Sequence, residues 1–457
     1  MDETRDLVEF TTRLQFKELP AEVIETAKLC VLDTVGVALY ASQMEWSKIV
    51  AEYAKEAKCV RESVVWGQGW KTSAQYAALA NGTCAHGIEM DDRSLNLSIH
   101  CGAAVIPTAI ALWEKTKTNG KELIASIVAG YEMGYRLAAA LEGSCRHRFY
   151  GSPIKSLFGA TVTAGKLLGL DDQKLQNAMG IAGSMASGLR EWSEDPKGTM
   201  IKRLSGGGWP AQNGVTAALL ALKGLTGPAT ILEGERGVCR AFAIEEKPRV
   251  EKLTEGLGKK YWIMERCIKL YGACGLLQAD VDCVNEMKSI HKVKPKEIER
   301  ISLGCSFKTF DMHNSKQPQS IMAAQYSLPF VTALGFLADL TDPSVWNEKA
   351  LTRADVKGLM QKIDMYMDDE LERIYRETSD DGGTKMTVKL KDGREFKNWY
   401  RYSKGTLEYP ATPEDIRRKF DVMAGHIFSK KRVREISDLV NRLEELKTPA
   451  SLSKALM

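Results

Sequence analysis

Between His86 and Pro107 the chain reads HGIEMDDRSLNLSIHCGAAVIP, which sets two histidines and three acids within the fifteen positions from His86 to His100. Acids and imidazoles at that density either pair with one another or move protons. Upstream, AQYAALANGTCAHG is rich in small residues, and downstream CGAAVIPTAIALWEK opens another apolar segment. Glu89, Asp91, Asp92 and His100 therefore lie on a polar bridge between two apolar helices. A solvent-facing turn whose acids cap the next helix is the plainer alternative, and the apolar flanks weigh against it.

Four further patches carry residues able to bind or transfer charge. RHRFYGSPIKSLFGA holds His147, Arg148, Tyr150 and Lys155, and GTMIKRLSGGGWPAQNG sets Lys202 and Arg203 before three glycines. RCIKLYGACGLLQADVD holds Arg266, Lys269, Tyr271 and Gln278, and AAQYSLPF holds Gln325, Tyr326 and Ser327. Lysines near glycines and at a domain junction can act as an anion clamp for carboxylates, although such lysines are more often ordinary surface cations. The run Gly206–Gly208 lacks Walker spacing and follows no strand, so it reads as a plain loop before a nucleotide cradle. No G-x-S-x-G is present, which leaves a hydrolase elbow without support.

The elements that must position these residues change character along the chain. From Glu3 to about Arg266 the period is helical almost throughout, beginning with VIETAKLCVLDTVGVALYA, where Ile24, Ala27, Val31 and Val35 share a face. Glycines at 82, 102, 130, 134, 159 and 165 fall inside or beside helical patterns, which implies helices packed too closely for a side chain. Asp171 is an N-cap. After Lys269, IERISLGCSF has strand composition and TKMTVKLKDGREFKNW reads as a hairpin turning at Asp392-Gly393. Helical segments are expected around 323–340 and 352–363. Thr412 and Pro413 then start a return to helix, and SKKRVREISDLVNRLEELK is a final amphipathic helix. The expected fold is mainly α with an inserted α+β lid: a helical domain over 1–268, an antiparallel-sheet-and-helix domain over 269–406, and a helical return over 407–457.

Composition bounds the function classes. A chain of 457 residues with 44% apolar and 27% charged residues is a globular protein of two or three domains. A net charge of +4, with no basic stripe interleaved with aromatics, gives no sign of nucleic-acid binding. MDETRDLVEF does not read as a signal peptide, no apolar run is long enough to span a bilayer, and a cytoplasmic location is expected. Ten cysteines are scattered singly without a C-x-x-C pair, and His291 and His313 are not spaced as zinc ligands, so no metal site is expected.

Taken together and in this order, the patches resemble the MmgE/PrpD family. The resemblance runs from about Asp6 to Leu443 and rests on HGIEMDD…HCGAAVIP, LFGATVTAGKLLGLDDQKL, GTMIKRL…G…NG, IKLYGACG and EYPATPEDIRRKF. Any one of these is weak, but five in register are specific. The resemblance implies a large helical domain built from both chain ends, an inserted lid, a homodimer, and catalysis with neither metal nor organic cofactor. Members dehydrate 2-methylcitrate, decarboxylate cis-aconitate or epimerise iminodisuccinate.

Carried over position by position, the family's acidic motif falls on Glu89, Asp91 and Asp92, its histidine on His100, and its lysines on Lys202 and Lys269. Three family histidines are replaced, by Tyr150, by Ser205 beside a one-residue insertion, and by Gln278. The expected chemistry is proton removal next to a carboxylate of a small di- or tricarboxylate, with loss of water or CO2. His100 is the first choice for acid/base work, with Lys202 a clamp or base, Glu89 and Asp91 orienting them, and Tyr150 an alternate proton donor. Lys269, Asp92, Arg203, Tyr271 and Gln278 are expected to bind substrate. An epimerase of a small dicarboxylate, or a dimeric binding protein with a dead site, are the alternatives.

Overall fold

Small residues on facing helices decide the packing of the larger part of the molecule. The structure, a computed structural model, describes residues 2–457 apart from 95, 143–144, 146–148, 196–197, 244–246 and 379–382. His147 and Arg148 lie outside the described residues. The chain divides into two compact units, Met1–Arg266 with Ile416–Met457, and Cys267–Asp415.

In the first unit the helices Ala74–Ala85, Gly102–Thr116, Gly120–Ala140, Gly151–Leu167 and Trp209–Leu222 pack on one another. A Cβ at Gly130 would sit 2.9 Å from the Gly159 carbonyl, and one at Gly159 would sit 2.7 Å from the Gly130 carbonyl. Only glycine lets these two backbones meet. The helix Ala21–Ala41 is buried on nearly every face, as an apolar helix in the middle of a large core must be. Asp171 caps as expected, accepting from Lys174 N at 2.8 Å. Both chain ends contribute to this unit: Lys28 Nζ reaches the Asn441 carbonyl at 3.0 Å, and Lys419 Nζ reaches Asp33 Oδ1 at 2.6 Å.

Helical periodicity does not hold throughout this unit. β1 (Ser63–Val65) and β2 (Trp70–Thr72) form a short antiparallel hairpin. Three residues per strand are too few for an alternation to show in sequence.

The second unit carries a four-stranded sheet in the order β4-β3-β5-β6, with β3 at Ile298–Cys305, β4 at Ile363–Met367, β5 at Thr384–Leu390 and β6 at Glu395–Tyr400. The β5–β6 hairpin turns at Asp392-Gly393, where Gly393 takes φ +89°. β3 pairs antiparallel with β5 and parallel with β4, so the sheet is mixed. β4 is absent from the sequence reading because IDMYM is largely exposed and shows no clean alternation. The helix expected around 323–340 is two pieces, Ile321–Gln325 and Leu328–Leu337, because Ser327 ends one and caps the other through Phe330 N.

The boundary with the closing helix falls later than 407. Thr412 and Asp415 cap each other reciprocally at 3.0 and 3.1 Å, and Lys404 Nζ holds Asp415 Oδ1 at 2.7 Å. The second unit therefore extends to Asp415, inside the first turn of the helix Pro413–Gly425. Among the described residues no helix is long and apolar enough to cross a membrane.

Candidate active site

On the bridge between the helices Ala74–Ala85 and Gly102–Thr116, His86, Glu89, Asp91 and Asp92 are buried. His86, at the end of the first helix, is the hub of the cluster. Its Nδ1 lies 2.7 Å from Asp91 Oδ2, its Nε2 lies 2.8 Å from the Tyr150 hydroxyl, and Lys202 Nζ lies 3.3 Å from the same Nε2. An anionic carboxylate only accepts, so Asp91 fixes the tautomer with the proton on Nδ1 and the lone pair on Nε2. Burial drives the His86 pKa down from 6.5 to about 3; Asp91 opposes that shift and Lys202 adds to it. His86 is neutral at rest.

His100 shares the same carboxylate oxygen. Its Nδ1 is 2.8 Å from Asp91 Oδ2 and 3.1 Å from the Asp92 carbonyl, two acceptors that require a proton on that nitrogen. The two imidazole rings meet edge to face with centroids 4.9 Å apart. Ser152 Oγ accepts from His100 N at 2.9 Å, and Lys155 Nζ donates to the Leu97 carbonyl at 2.8 Å, which together hold the approach to His100.

His86, Asp91 and His100 bring three metal-type donor atoms within 4.8 Å of one another. Their geometry is that of hydrogen bonds. Ligands about 2.0–2.2 Å from a common ion stand roughly 3 Å or more apart, whereas Asp91 Oδ2 is hydrogen-bonded to His86 Nδ1 at 2.7 Å and lies 2.8 Å from His100 Nδ1, whose hydrogen bond runs to the Asp92 carbonyl. The set reads as two oriented imidazoles on one carboxylate.

Glu89 takes φ +58°, a left-handed conformation that costs a non-glycine residue roughly 1–2 kcal/mol. Lys202 Nζ and Arg203 Nη1 both bond its Oε1 and hold it there, and Arg203 also donates to the His86 carbonyl at 3.3 Å. A strained acid gripped by two buried cations is a feature that functional sites retain.

The glycines after Arg203 are not a loop. Ile201–Arg203 continues through a π-helical turn, Leu204–Gly208, into the helix Trp209–Leu222. A π turn holds one residue more than an α turn, which matches the one-residue insertion beside Ser205. A Cβ at Gly206 would lie 2.2 Å from His86 Cδ2, and one at Gly207 would lie 2.1 Å from the Gly82 carbonyl. The run is glycine so that this helix can lie against His86, and its N–H groups are spent within the helix rather than on a phosphate.

Tyr150 Oη, bonded to His86, has a pKa raised well above the usual 10, first by burial and then by Glu89 and Asp91. Its ring meets Trp192 edge to face at 5.3 Å, and Lys202 Nζ stands 5.6 Å from the Trp192 ring centre.

The structure thus brings together Glu89, Asp91, His100, Tyr150, Lys202 and Arg203. Asp92 belongs elsewhere. Its Oδ2 accepts from the Tyr131 hydroxyl at 2.5 Å and its Oδ1 from Gly102 N at 3.0 Å, so it caps the following helix from inside the core, where burial raises its pKa to about 7. Expected to bind substrate, it instead anchors the loop.

In the second unit Lys269 is buried, and Tyr271 and Gln278 are committed to their own loop. Tyr271 donates to Asp282 Oδ1 at 2.6 Å, while Gln278 Nε2 donates to the Tyr271 and Ala273 carbonyls, both at 2.9 Å. These bonds shape the segment that follows Lys269. Gln325 does the same from across the unit, donating to the Gly272 carbonyl at 2.9 Å. Sequence reasoning passed over His86, Ser152 and Trp192. The spacing of His86 to Asp91, five positions along the opening stretch, was the signal available for the first.

Comparison with known proteins agrees along most of the chain. The MmgE/PrpD N-terminal domain model matches residues 5–251 and the MmgE/PrpD C-terminal domain model matches residues 271–445. The chain is 26% identical to the cis-aconitate decarboxylase of Aspergillus terreus, covering 97% of this chain and 93% of that one. It is 28% identical to the cis-aconitate decarboxylase of Homo sapiens over 97% and 92% of the two chains, and 26% identical to that of Mus musculus over 97% and 91%. Relatives matched over nearly their full length, together with a buried acid/base cluster, make the protein a lyase-type enzyme. With both of its halves matched by the family's own domain models, the chain belongs to the MmgE/PrpD family.

Proposed function

We propose that the protein removes or delivers a proton next to a carboxylate of a small di- or tricarboxylate and expels CO2 or water, as a decarboxylase or dehydratase. The observation that carries this reading is His86 Nε2, a fixed lone pair that faces both the Tyr150 hydroxyl and Lys202 Nζ. Lys202 holds a substrate carboxylate, and Lys269 is kept as a second carboxylate-binding cation. In decarboxylation the electron pair of the C–CO2 bond stays on carbon, and the resulting enolate-like anion takes a proton. In dehydration a proton leaves the carbon next to the carboxylate, and the hydroxyl leaves with a proton as water. Tyr150 is the group that meets the reacting atoms: in dehydration its hydroxyl passes its proton to His86 Nε2 as its oxygen takes the carbon proton, and in decarboxylation it gives its proton to the carbanion and regains one from solvent. The depressed pKa of His86 means that its charged form exists only while an anionic intermediate lies alongside. Asp91 stabilises that form, and His100, on the same oxygen, is the second proton-transfer group.

Burial and the neighbouring acids keep Tyr150 protonated near neutral pH, so it is not a resting second base, and nothing favours an epimerase. The homodimer is part of the proposal, checked by light scattering, in which a monomer at micromolar concentration removes it. A cytoplasmic location is proposed on ten cysteines that stand as thiols, which suit a reducing compartment.

The test is turnover of citrate, 2-methylcitrate and cis-aconitate followed by NMR in D2O. Appearance of CO2 with deuterium at the carbon that carried it, or of a dehydrated product, is expected. Stereochemical scrambling without loss of a group, or no reaction with any of the three, overturns the reading.

A further inference from the structure

A cavity of about 360 Å³ opens beside the cluster in the first unit, lined chiefly by Leu157, Met185, Leu189, Trp192, Ile201 and Trp209. It shares a wall with the acid/base groups. Trp192 lines it while packing on Tyr150 and standing near Lys202, and Ser205 lines it while donating to the Lys202 carbonyl at 3.4 Å. Its volume is within the ~300–1,000 Å³ usual for small-molecule sites. Among the described residues lining it there is no lysine, arginine or histidine, and the titratable one is Glu191, an acid. A carboxylate placed here would lose its hydration and meet a like charge. The anionic part of a substrate therefore belongs at Lys202, and the cavity suits something uncharged and apolar joined to it.

We propose that this cavity is the subsite for an apolar arm of the substrate, an alkyl or aryl group larger than methyl carried next to the reacting carboxylates. The inference rests on the assignment of Lys202 as a carboxylate-binding group. The occupant follows from continuity with that cation and from the charge of the lining. Ser205 and the π turn help to make the room, since a histidine at 205 would project an imidazole where a hydroxymethyl group now lines the cavity.

The experiment is calorimetric titration of the full-length protein with succinate and with 2-methyl-, 2-propyl- and 2-hexylsuccinate. Affinity is expected to rise about fourfold per methylene buried, then to level off when the cavity is full. In Met185→Trp, which fills the cavity, the ratio of hexyl to unsubstituted affinity is expected to fall towards one. A flat series in the wild-type protein overturns the subsite while leaving the carboxylate assignment standing. A rising series that Met185→Trp does not change also overturns it, because the arm then binds elsewhere. Failure of the carboxylate assignment has a different signature: succinate affinity unchanged by Lys202→Ala.

Discussion

Replacing Asp91 by asparagine tests the centre of the site. One oxygen of Asp91 accepts from His86 Nδ1 at 2.7 Å and lies 2.8 Å from His100 Nδ1, inside the core, where the carboxylate is almost wholly shielded from water. A hydrogen bond to a charged acceptor contributes about 1.5–3 kcal/mol and a neutral one about 1 kcal/mol. The amide in Asp91→Asn keeps the shape and one acceptor oxygen, so the resting fold should lose only a few kcal/mol at most. The charged form of His86 loses more, because Asp91 is the group that raises its pKa against burial. We expect turnover to fall by at least ~10²-fold, the usual consequence of disabling one acid or base. Affinity for a dicarboxylate should hold or improve, since a buried negative charge has gone.

The split between turnover and affinity separates a catalytic effect from general damage. Nitrogen-15 spectra of the histidine side chains provide a readout that needs no substrate: wild-type His86 should show the Nδ1–H tautomer, and Asp91→Asn should show it weakened or reversed. Asp91→Ala, which orphans the buried His86 Nδ1–H at about 1–3 kcal/mol while His100 Nδ1 keeps the Asp92 carbonyl, should be less stable. Turnover of Asp91→Asn within about threefold of wild type, with the tautomer unchanged, would refute the assignment of Asp91 as the group that orients both imidazoles.

Three other outcomes follow from the geometry. Lys202→Ala or Lys269→Ala should weaken a dicarboxylate inhibitor by about 2–5 kcal/mol with poor rescue by arginine, and unchanged calorimetric affinity in either takes that lysine out of the site. Gly206→Ala should cost turnover by displacing His86, against which its Cβ would press at 2.2 Å, and an active variant with wild-type histidine shifts removes the packing argument. Asp280 is buried and accepts from Thr332 Oγ1 at 2.9 Å, but loss of hydration outweighs that bond and raises its pKa to about 8. A folded-state pKa above the unfolded 3.8 gives stability that is full below pH ~4 and lost as pH rises through about 8. Asp280→Asn should therefore flatten the decline in unfolding free energy between those values, and an unchanged slope in urea titrations contradicts it.

Much of the fold was legible because the signals were local. Asp392-Gly393 specifies its hairpin, Thr412 and Asp415 their capping box, and the glycines within helical patterns their close crossings. What stayed hidden depended on partners remote in sequence. Nothing in IDMYM announces that β4 lies parallel to β3, because that pairing is decided by a connection through several helices. Asp91 and Asp92 are adjacent and identical in type, yet one faces two histidines and the other faces Tyr131 and a helix end. Their division of labour is set by the backbone turn that begins at Glu89, and that turn is held by cations more than a hundred residues away.

The same distance explains why the sequence assigns a role to His100 and none to His86. His100 sits on a family motif position, whereas the role of His86 depends on Tyr150, Lys202 and a glycine at 206, each from a different helix or turn. The three positions that lack the family's histidines then cease to look like pure loss. Tyr150 occupies one of them and hands its hydroxyl to His86. Gln278 occupies another and ties down the loop after Lys269, and Ser205 occupies the third at the mouth of the apolar cavity. A site with fewer imidazoles can still move a proton if the remaining ones are oriented rather than merely present. Here one carboxylate orients two of them, and its burial keeps it from being diverted by water. On the proposed reading, the replaced histidines mark where this chain differs in what it binds, and His86, His100 and Asp91 between them carry the proton.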